Sequence, residues 1–318
     1  MKLIKINALV YSCLIFFQIA FSGAALNAQT DRTAPPIQPT EASEPGSAQY
    51  PFSLFHETLT VQGRTVDFYA PAEIKDAVKK VPVIIFGHGQ AIPVSSYQES
   101  FVHLAKKGYA VIFPMFDTGF FDQDWRRMGS DYVTISAATV KKYNQYVDPE
   151  MVIFAGHSKG AYVGLVASGL PNLQNLLRPS ALVFFDPAGF DAEYLKNIEK
   201  KVPVTLTWAE GDTVIKKSLI EEIYTKLPSD QKQLITVNGY KNTQPNLTPD
   251  HFFPLSKKFS FGGVDGITPF HYFGTWKWLI GAAEDVRQGS PLNNVYIYGN
   301  ETASKGQQGS QHTILKNW

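Results

Sequence analysis

The segment of this chain richest in possible chemistry is Gly156-His157-Ser158-Lys159-Gly160, a G-x-S-x-G pattern. It follows a β-rich run, Met151 to Ala155, and leads into Ala161, Tyr162, Gly164, Leu165 and Ala167 at helical spacing. A serine on a sharp strand-to-helix turn stands clear of its neighbours, so its hydroxyl can act as a nucleophile once a base reaches it. The start of the helix aims free amide N–H groups at negative charge developing beside that serine. An ordinary glycine-rich turn is the plain alternative. The strand before it and the helix after it favour the nucleophile.

A second segment could complete such a site. The run Val81 to Phe86 ends in Gly87-His88-Gly89-Gln90, a glycine-rich turn of the kind that offers an oxyanion donor. The two expected donors are the backbone N–H groups of Gln90 and Lys159. Their side chains are not needed, and Lys159 reads as a surface charge. His88 and His157 read as turn or packing histidines, because both precede the serine while the base and acid of such a site follow it. Asp212, in the turn Glu210-Gly-Asp-Thr-Val214, is the preferred acid, and Asp186, in Asp186-Pro-Ala-Gly189, is the alternative. His251, in a long loop between Asn238 and Pro269, is the preferred base. His271, which opens the last helical pattern, is the alternative. His56, His103 and His312 read as structural or surface residues. Phe116, Phe120, Phe121 and Trp125 crowd the loop after the run Tyr109 to Phe113 and would line an apolar pocket or belong to the core. Asp122, Asp124, Arg126 and Arg127 beside them read as a solvated rim. No phosphate-binding glycine loop and no cluster with metal-ligand spacing is found, so no cofactor is expected.

These residues require a scaffold that places loops together. His56 to Val61 and Arg64 to Ala70, around Gln62-Gly63, predict a hairpin. Six further β-rich runs follow: Val81–Phe86, Tyr109–Phe113, Met151–Ala155, Ala181–Phe185, Val202–Trp208 and Gln233–Val237. Helical patterns separate them, carried by Tyr97, Phe101 and Leu104, by Val133, Ala137, Val140, Tyr143 and Val147, and by Leu219, Ile223 and Leu227. A last helix uses Trp276, Leu279, Ile280 and Ala283. The alternation predicts an α/β fold, a mostly parallel, doubly wound sheet with helices on both faces and its ligand site beyond the carboxyl ends of the strands.

Composition sets the outer limits. In 318 residues, 44% are hydrophobic and 18% charged, enough for a sizeable core. The 29 basic and 28 acidic residues leave a formal charge of +1, which gives nucleic acid no field to follow. Lys2, Lys5, the apolar run Ala8 to Phe21 and the small residues up to Ala28 have the layout of a cleavable export signal over residues 1–28. The run is shorter than the roughly 20 residues that span a bilayer, so stable membrane insertion is not expected. The single cysteine, Cys13, lies in this segment. Residues 29–49, rich in Pro, Thr, Ser and Ala, read as a flexible leader, 50–290 as the folded domain, and 291–318 as a tail without a clear element.

With Ser158, Asp212 and His251 in that order on loops that follow strands, the chain from about Thr58 to Val286 resembles the α/β-hydrolase superfamily. Gly87-His-Gly-Gln90 beside Gly156-His-Ser-Lys-Gly160 resembles the group of secreted lipases, polyester (cutinase-like) hydrolases and chlorophyllase-like enzymes. The resemblance implies one catalytic domain without a large cap, a small-molecule or polymeric ester as substrate, and no cofactor. It also supports Asp186, because Val183-Phe-Phe-Asp-Pro-Ala188 resembles the segment that bears the acid in chlorophyllases and pancreatic-type lipases. The same residues would serve a thioesterase, amidase or peptidase, and a non-catalytic binding protein on this fold is the alternative class.

Overall fold

The structure, a computed structural model, describes residues 34–73, 79–173, 175–240, 243–260, 262–289 and 312–317. The segment read as an export signal lies outside the described residues.

The chain opens with the antiparallel hairpin β1 (Leu54–Val61) and β2 (Arg64–Pro71). The core strands are β3 (Val81–Gly87), β4 (Ala110–Pro114), β5 (Val147–His157), β6 (Ala181–Phe185), β7 (Val204–Ala209) and β8 (Lys232–Val237). These six run parallel in the order β4-β3-β5-β6-β7-β8, with β2 antiparallel beside β4. This is the arrangement of the α/β-hydrolase fold. A ninth strand, β9 (His312–Asn317), pairs antiparallel with β8, in a stretch where the sequence pattern indicated no element.

Among the described residues, six α-helices flank the sheet: α1 (Gln98–Lys106), α2 (Trp125–Lys142), α3 (Lys159–Ser168), α4 (Ala192–Leu195), α5 (Lys217–Lys226) and α6 (Trp276–Gln288). The strands are apolar on both faces because both are covered. Val83 and Ile85 of β3 join a core with Tyr132 of α2, Leu165 of α3 and Ile223 of α5. Their neighbours Ile84 and Phe86 point the other way, into a core with Phe101 of α1 and Trp278 and Leu279 of α6. One helical expectation overshoots. Tyr143 and Val147 continue the apolar spacing of α2, yet the helix ends at Lys142 and Val147 begins β5. Tyr143 stacks on Phe68 of β2, with ring centres 3.9 Å apart, so its apolar character serves the turn rather than another helical turn.

Residues 34–49, read from composition as a flexible leader, pack as a strap against α1 and the entry to α6. The Pro36 carbonyl accepts from the Tyr272 hydroxyl, and the Pro45 carbonyl lies 2.7 Å from Nε2 of His103. Ser47 is buried, with its hydroxyl 2.8 Å from Lys107 Nζ. The strap docks mainly through backbone carbonyls, which every residue carries, so no apolar period announces it.

Chain order places β3 and β5 side by side while the chain visits β4 between them, and a crevice opens at that reversal beyond the carboxyl ends of the strands. The ends of both strands carry the segments with the chemistry.

Candidate active site

Ser158 follows β5 with φ 55° and ψ −117°, a left-handed turn that a non-glycine residue adopts only where its surroundings enforce it. Three bonds do so here. The Ser158 amide donates to the Phe185 carbonyl at 2.9 Å, and its carbonyl accepts from the amides of Tyr162 and Ala188, both at 3.1 Å. The turn also needs α3 to start almost against β3. A Cβ on Gly160 would lie 2.1 Å from the carbonyl carbon and oxygen of Gly87, so only glycine fits.

The long loop after β8 brings His251 to this serine. Its Nε2 lies 2.9 Å from Ser158 Oγ, and its Nδ1 lies 2.8 Å from Asp212 Oδ2. Asp212, in the turn after β7, holds its other oxygen against the amides of Val214 and Ile215 at 2.7 and 2.8 Å. Burial raises its carboxyl, but the hydrogen bond and charge of His251, with the Ile215 amide, outweigh that and leave it below the usual carboxylate range. Asp250 pins the loop from the next position, accepting from the amides of Phe252 at 2.9 Å and Gly263 at 2.7 Å.

The alternative residues lie elsewhere. His271 is buried in a five-residue π-helical segment, His271–Thr275, ahead of α6, with Nδ1 3.1 Å from the Thr268 amide and its ring edge against Trp276. Asp186 is buried just after β6, close to Asp212, and it is Asp212 that His251 Nδ1 meets. Asp186, Asp212 and His251 each bring a ligating atom within 4.8 Å of the others, spacing that suits a metal ion. Sequence spacing had shown no such cluster because 65 residues separate the first from the last. Within this cluster His251 Nδ1 meets Asp212 Oδ2 directly at 2.8 Å.

His157, read as a packing residue, is buried and also links two parts of the site. The Gly89 amide donates to the Tyr97 hydroxyl at 3.0 Å, that hydroxyl lies 2.9 Å from His157 Nδ1, and His157 Nε2 lies 2.8 Å from the His251 carbonyl. The network assigns the proton to Nε2. Burial, with the neighbouring His251, lowers the His157 imidazole to about 3, so it stays neutral. The turn after β3 is thus tied to the backbone of His251. Tyr97 was legible only as an apolar face residue of a helix; nothing in the sequence marks its hydroxyl.

On the other side of the serine, Lys159 is the first residue of α3, a position whose amide has no intrahelical acceptor. Its side chain is not the expected surface charge. It is buried, with Nζ 3.1 Å from Asp117 Oδ2, because the loop after β4 folds over the helix start. Gln90 donates from Nε2 to the Phe120 carbonyl at 2.6 Å and so ties the same loop to the turn after β3. A cavity of about 230 Å³ lies beneath, lined by His88, Ala91, Ile92, Met115, Asp117 and Phe120 among others. His88 stacks on Phe116 at 4.1 Å, and its Nε2 has no protein partner.

The four candidate pocket aromatics separate. Phe116 is fully buried core, and Trp125 stacks on Tyr162 with centroids 4.0 Å apart. Phe120 lines the cavity; it is 55% exposed, and Phe121 is 87% exposed. The expected solvated rim is a bonded set as well, since Arg127 pairs with Asp122 and Asp131 and Asp124 caps α2.

Residues 68–212 match the family model described as Chlorophyllase. The matched stretch runs from β2 through the turn after β7 and contains Ser158, Asp186 and Asp212, while His251 lies beyond it. No curated protein matches the chain.

Proposed function

We propose that the protein is an exported serine esterase acting through Ser158, His251 and Asp212, a reading supported by the match of residues 68–212 to the Chlorophyllase family model. The observation that carries this reading is the unbroken hydrogen-bonded line from the Ser158 hydroxyl through His251 to Asp212. His251 Nε2 takes the serine proton as Oγ attacks the ester carbonyl, and Asp212 stabilises the imidazolium that forms. The amides of Gln90 and Lys159 receive the oxyanion. His251 then protonates the departing alcohol, and water, activated by the same imidazole, releases the acyl group from Ser158.

The cavity beside Gln90 and the exposed pair Phe120 and Phe121 support an apolar group on the substrate, on an ester that is either small or part of a polymer. Export is supported by Lys2 and Lys5 ahead of the apolar run that ends at Phe21. Among the described residues, no helix is long and apolar enough to cross a membrane.

The test is hydrolysis of p-nitrophenyl esters from acetate to palmitate by the protein and by Ser158→Ala, with fluorophosphonate labelling alongside. Activity on these esters, a loss of about 10⁴-fold or more in kcat/KM for the variant, and labelling confined to Ser158 are expected. Parental rates in Ser158→Ala, or a folded protein that the fluorophosphonate leaves unlabelled, would refute the proposal. Turnover of thioesters or amides in place of esters would keep the triad and change the substrate class.

A further inference from the structure

Asp186 does not contact the imidazole through a hydrogen bond, yet the fold goes to some length to hold it beside Asp212. Its φ of 44° is left-handed, a strained conformation for an aspartate, and its side chain is fully buried. Its polar neighbours are few. The Thr207 hydroxyl donates to Oδ1 at 3.2 Å, the Ala209 amide lies 3.4 Å from Oδ2, and a carboxyl oxygen of Asp212 lies within 4.8 Å of one of its own.

Two carboxyl groups held this close with Asp186 fully buried do not both ionise, because like charges at short range repel, so one keeps a proton and can donate it to the other. The surroundings decide which one. Asp212 has two short amide bonds and His251 on its oxygens, a set suited to a charged acceptor. Asp186 has one hydroxyl and one long amide contact. The titratable groups around the pair are His251 on the loop after β8 and, beyond it, the neutral His157 at the end of β5.

The geometry points to Asp186 as a neutral acid that donates its proton to Asp212, so that a carboxyl–carboxylate pair with one negative charge positions His251. Burial and the charge of Asp212 both push the Asp186 carboxyl far above the usual carboxylate range, in agreement with this. The arrangement has a chemical consequence. Two negative charges beside His251 would favour imidazolium before any substrate arrived, and a protonated base cannot take the serine proton. The donated hydrogen bond also reduces the basicity of Asp212, so its proton stays on Asp186 and the Nδ1 proton stays on His251. Asp186 is in these terms a positioning residue, and its role in turnover rests on the esterase reading.

Infrared difference spectroscopy on the whole protein reads the proton directly. The carbonyl stretch of a buried carboxylic acid should persist at neutral pH, where ordinary carboxyls are ionised, and should disappear in Asp186→Asn. That variant keeps a donor toward Asp212, so its kcat/KM should stay within about threefold of the parent. Asp186→Ala lacks the donor, and the acid limb of its kcat/KM–pH profile should move up by roughly one unit. The inference is overturned if the band is absent, if the acid limb of Asp186→Ala does not move, or if Asp186→Asn loses more activity than Asp212→Asn, which would make Asp186 the ionised partner. Should Asp186→Ala fail to fold, the band and the Asn variant decide. The band does not depend on turnover: a band without reaction at Ser158 keeps the pair and removes the esterase reading, whereas a labelled Ser158 without a band keeps the esterase and removes the pair.

Discussion

The hydroxyl of Tyr97 accepts from the Gly89 amide and meets His157, whose other nitrogen meets the backbone carbonyl of His251. One oxygen therefore helps to set both the turn that holds Gln90 and the loop that carries His251, the proposed base. Replacing Tyr97 by Phe keeps the buried ring and removes that oxygen. It leaves the Gly89 amide and His157 Nδ1 without partners, at a stability cost of about 1–3 kcal/mol. We expect kcat to fall about tenfold with little change in KM for a short ester, because the lost interaction orients catalytic groups and does not bind substrate. A chemical-denaturation curve and steady-state kinetics on the same preparation check this. An unchanged kcat with lowered stability would assign Tyr97 to packing alone. At this scale the sequence was informative about which residues meet, since Ser158, His251 and Asp212, expected on loops after strands, lie in a line, each within hydrogen-bond distance of the next. It was silent where the role depends on a tertiary neighbour. Lys159 looks like a surface charge until the loop after β4 brings Asp117 over it, and His157 looks like packing until Tyr97 and the His251 carbonyl arrive from 60 and 94 residues away.

Among the elements, the start of α3 has the tightest fit. Gly160 faces Gly87 so closely that a methyl group would overlap its carbonyl at 2.1 Å and the His88 amide at 2.7 Å. Backbone cannot turn aside as a side chain can, so Gly160→Ala must push α3 away from β3. The expected cost is about 3 kcal/mol or more in a denaturant titration, with the proposed esterase activity lost even in the folded fraction, since Ser158 and the Lys159 amide move with the helix. Full activity at parental stability would show that the helix has slack the packing does not reveal. The β-rich runs and helical spacings were readable because burial on both sheet faces imposes continuous apolar strands between amphipathic helices. What periodicity could not show is where an apolar residue stops serving a helix, as at Tyr143, or how a segment pairs when it carries no period, as at β9.

Among the described residues, four of the five buried histidines, His88, His103, His157 and His271, set the response to acid. Burial lowers His103 and His157 to about 3 and His271 to about 4, and lowers His88 as well. Between about 4 and the ordinary histidine value near 6.5 the unfolded chain binds these protons and the native chain does not, so stability falls as pH falls through that window. Each group contributes at most about 1.4 kcal/mol per pH unit. Asp186 acts in the opposite sense, because its raised carboxyl holds a proton in the native state that the unfolded chain has released. Four groups against one fix the sign. The urea midpoint should be clearly lower at about pH 5 than at about pH 7, and His271→Asn should reduce the difference. A midpoint that does not change between these values would mean that the histidines admit protons without unfolding. The strap of residues 34–49 has its own practical weight. A fragment trimmed to Tyr50, where composition would start the domain, loses the carbonyl partners of Tyr272 and His103 and the Ser47 partner of Lys107. Anyone shortening this protein for crystals or for use as a reagent would be cutting away part of its folded surface, and leaving buried polar groups without their acceptors.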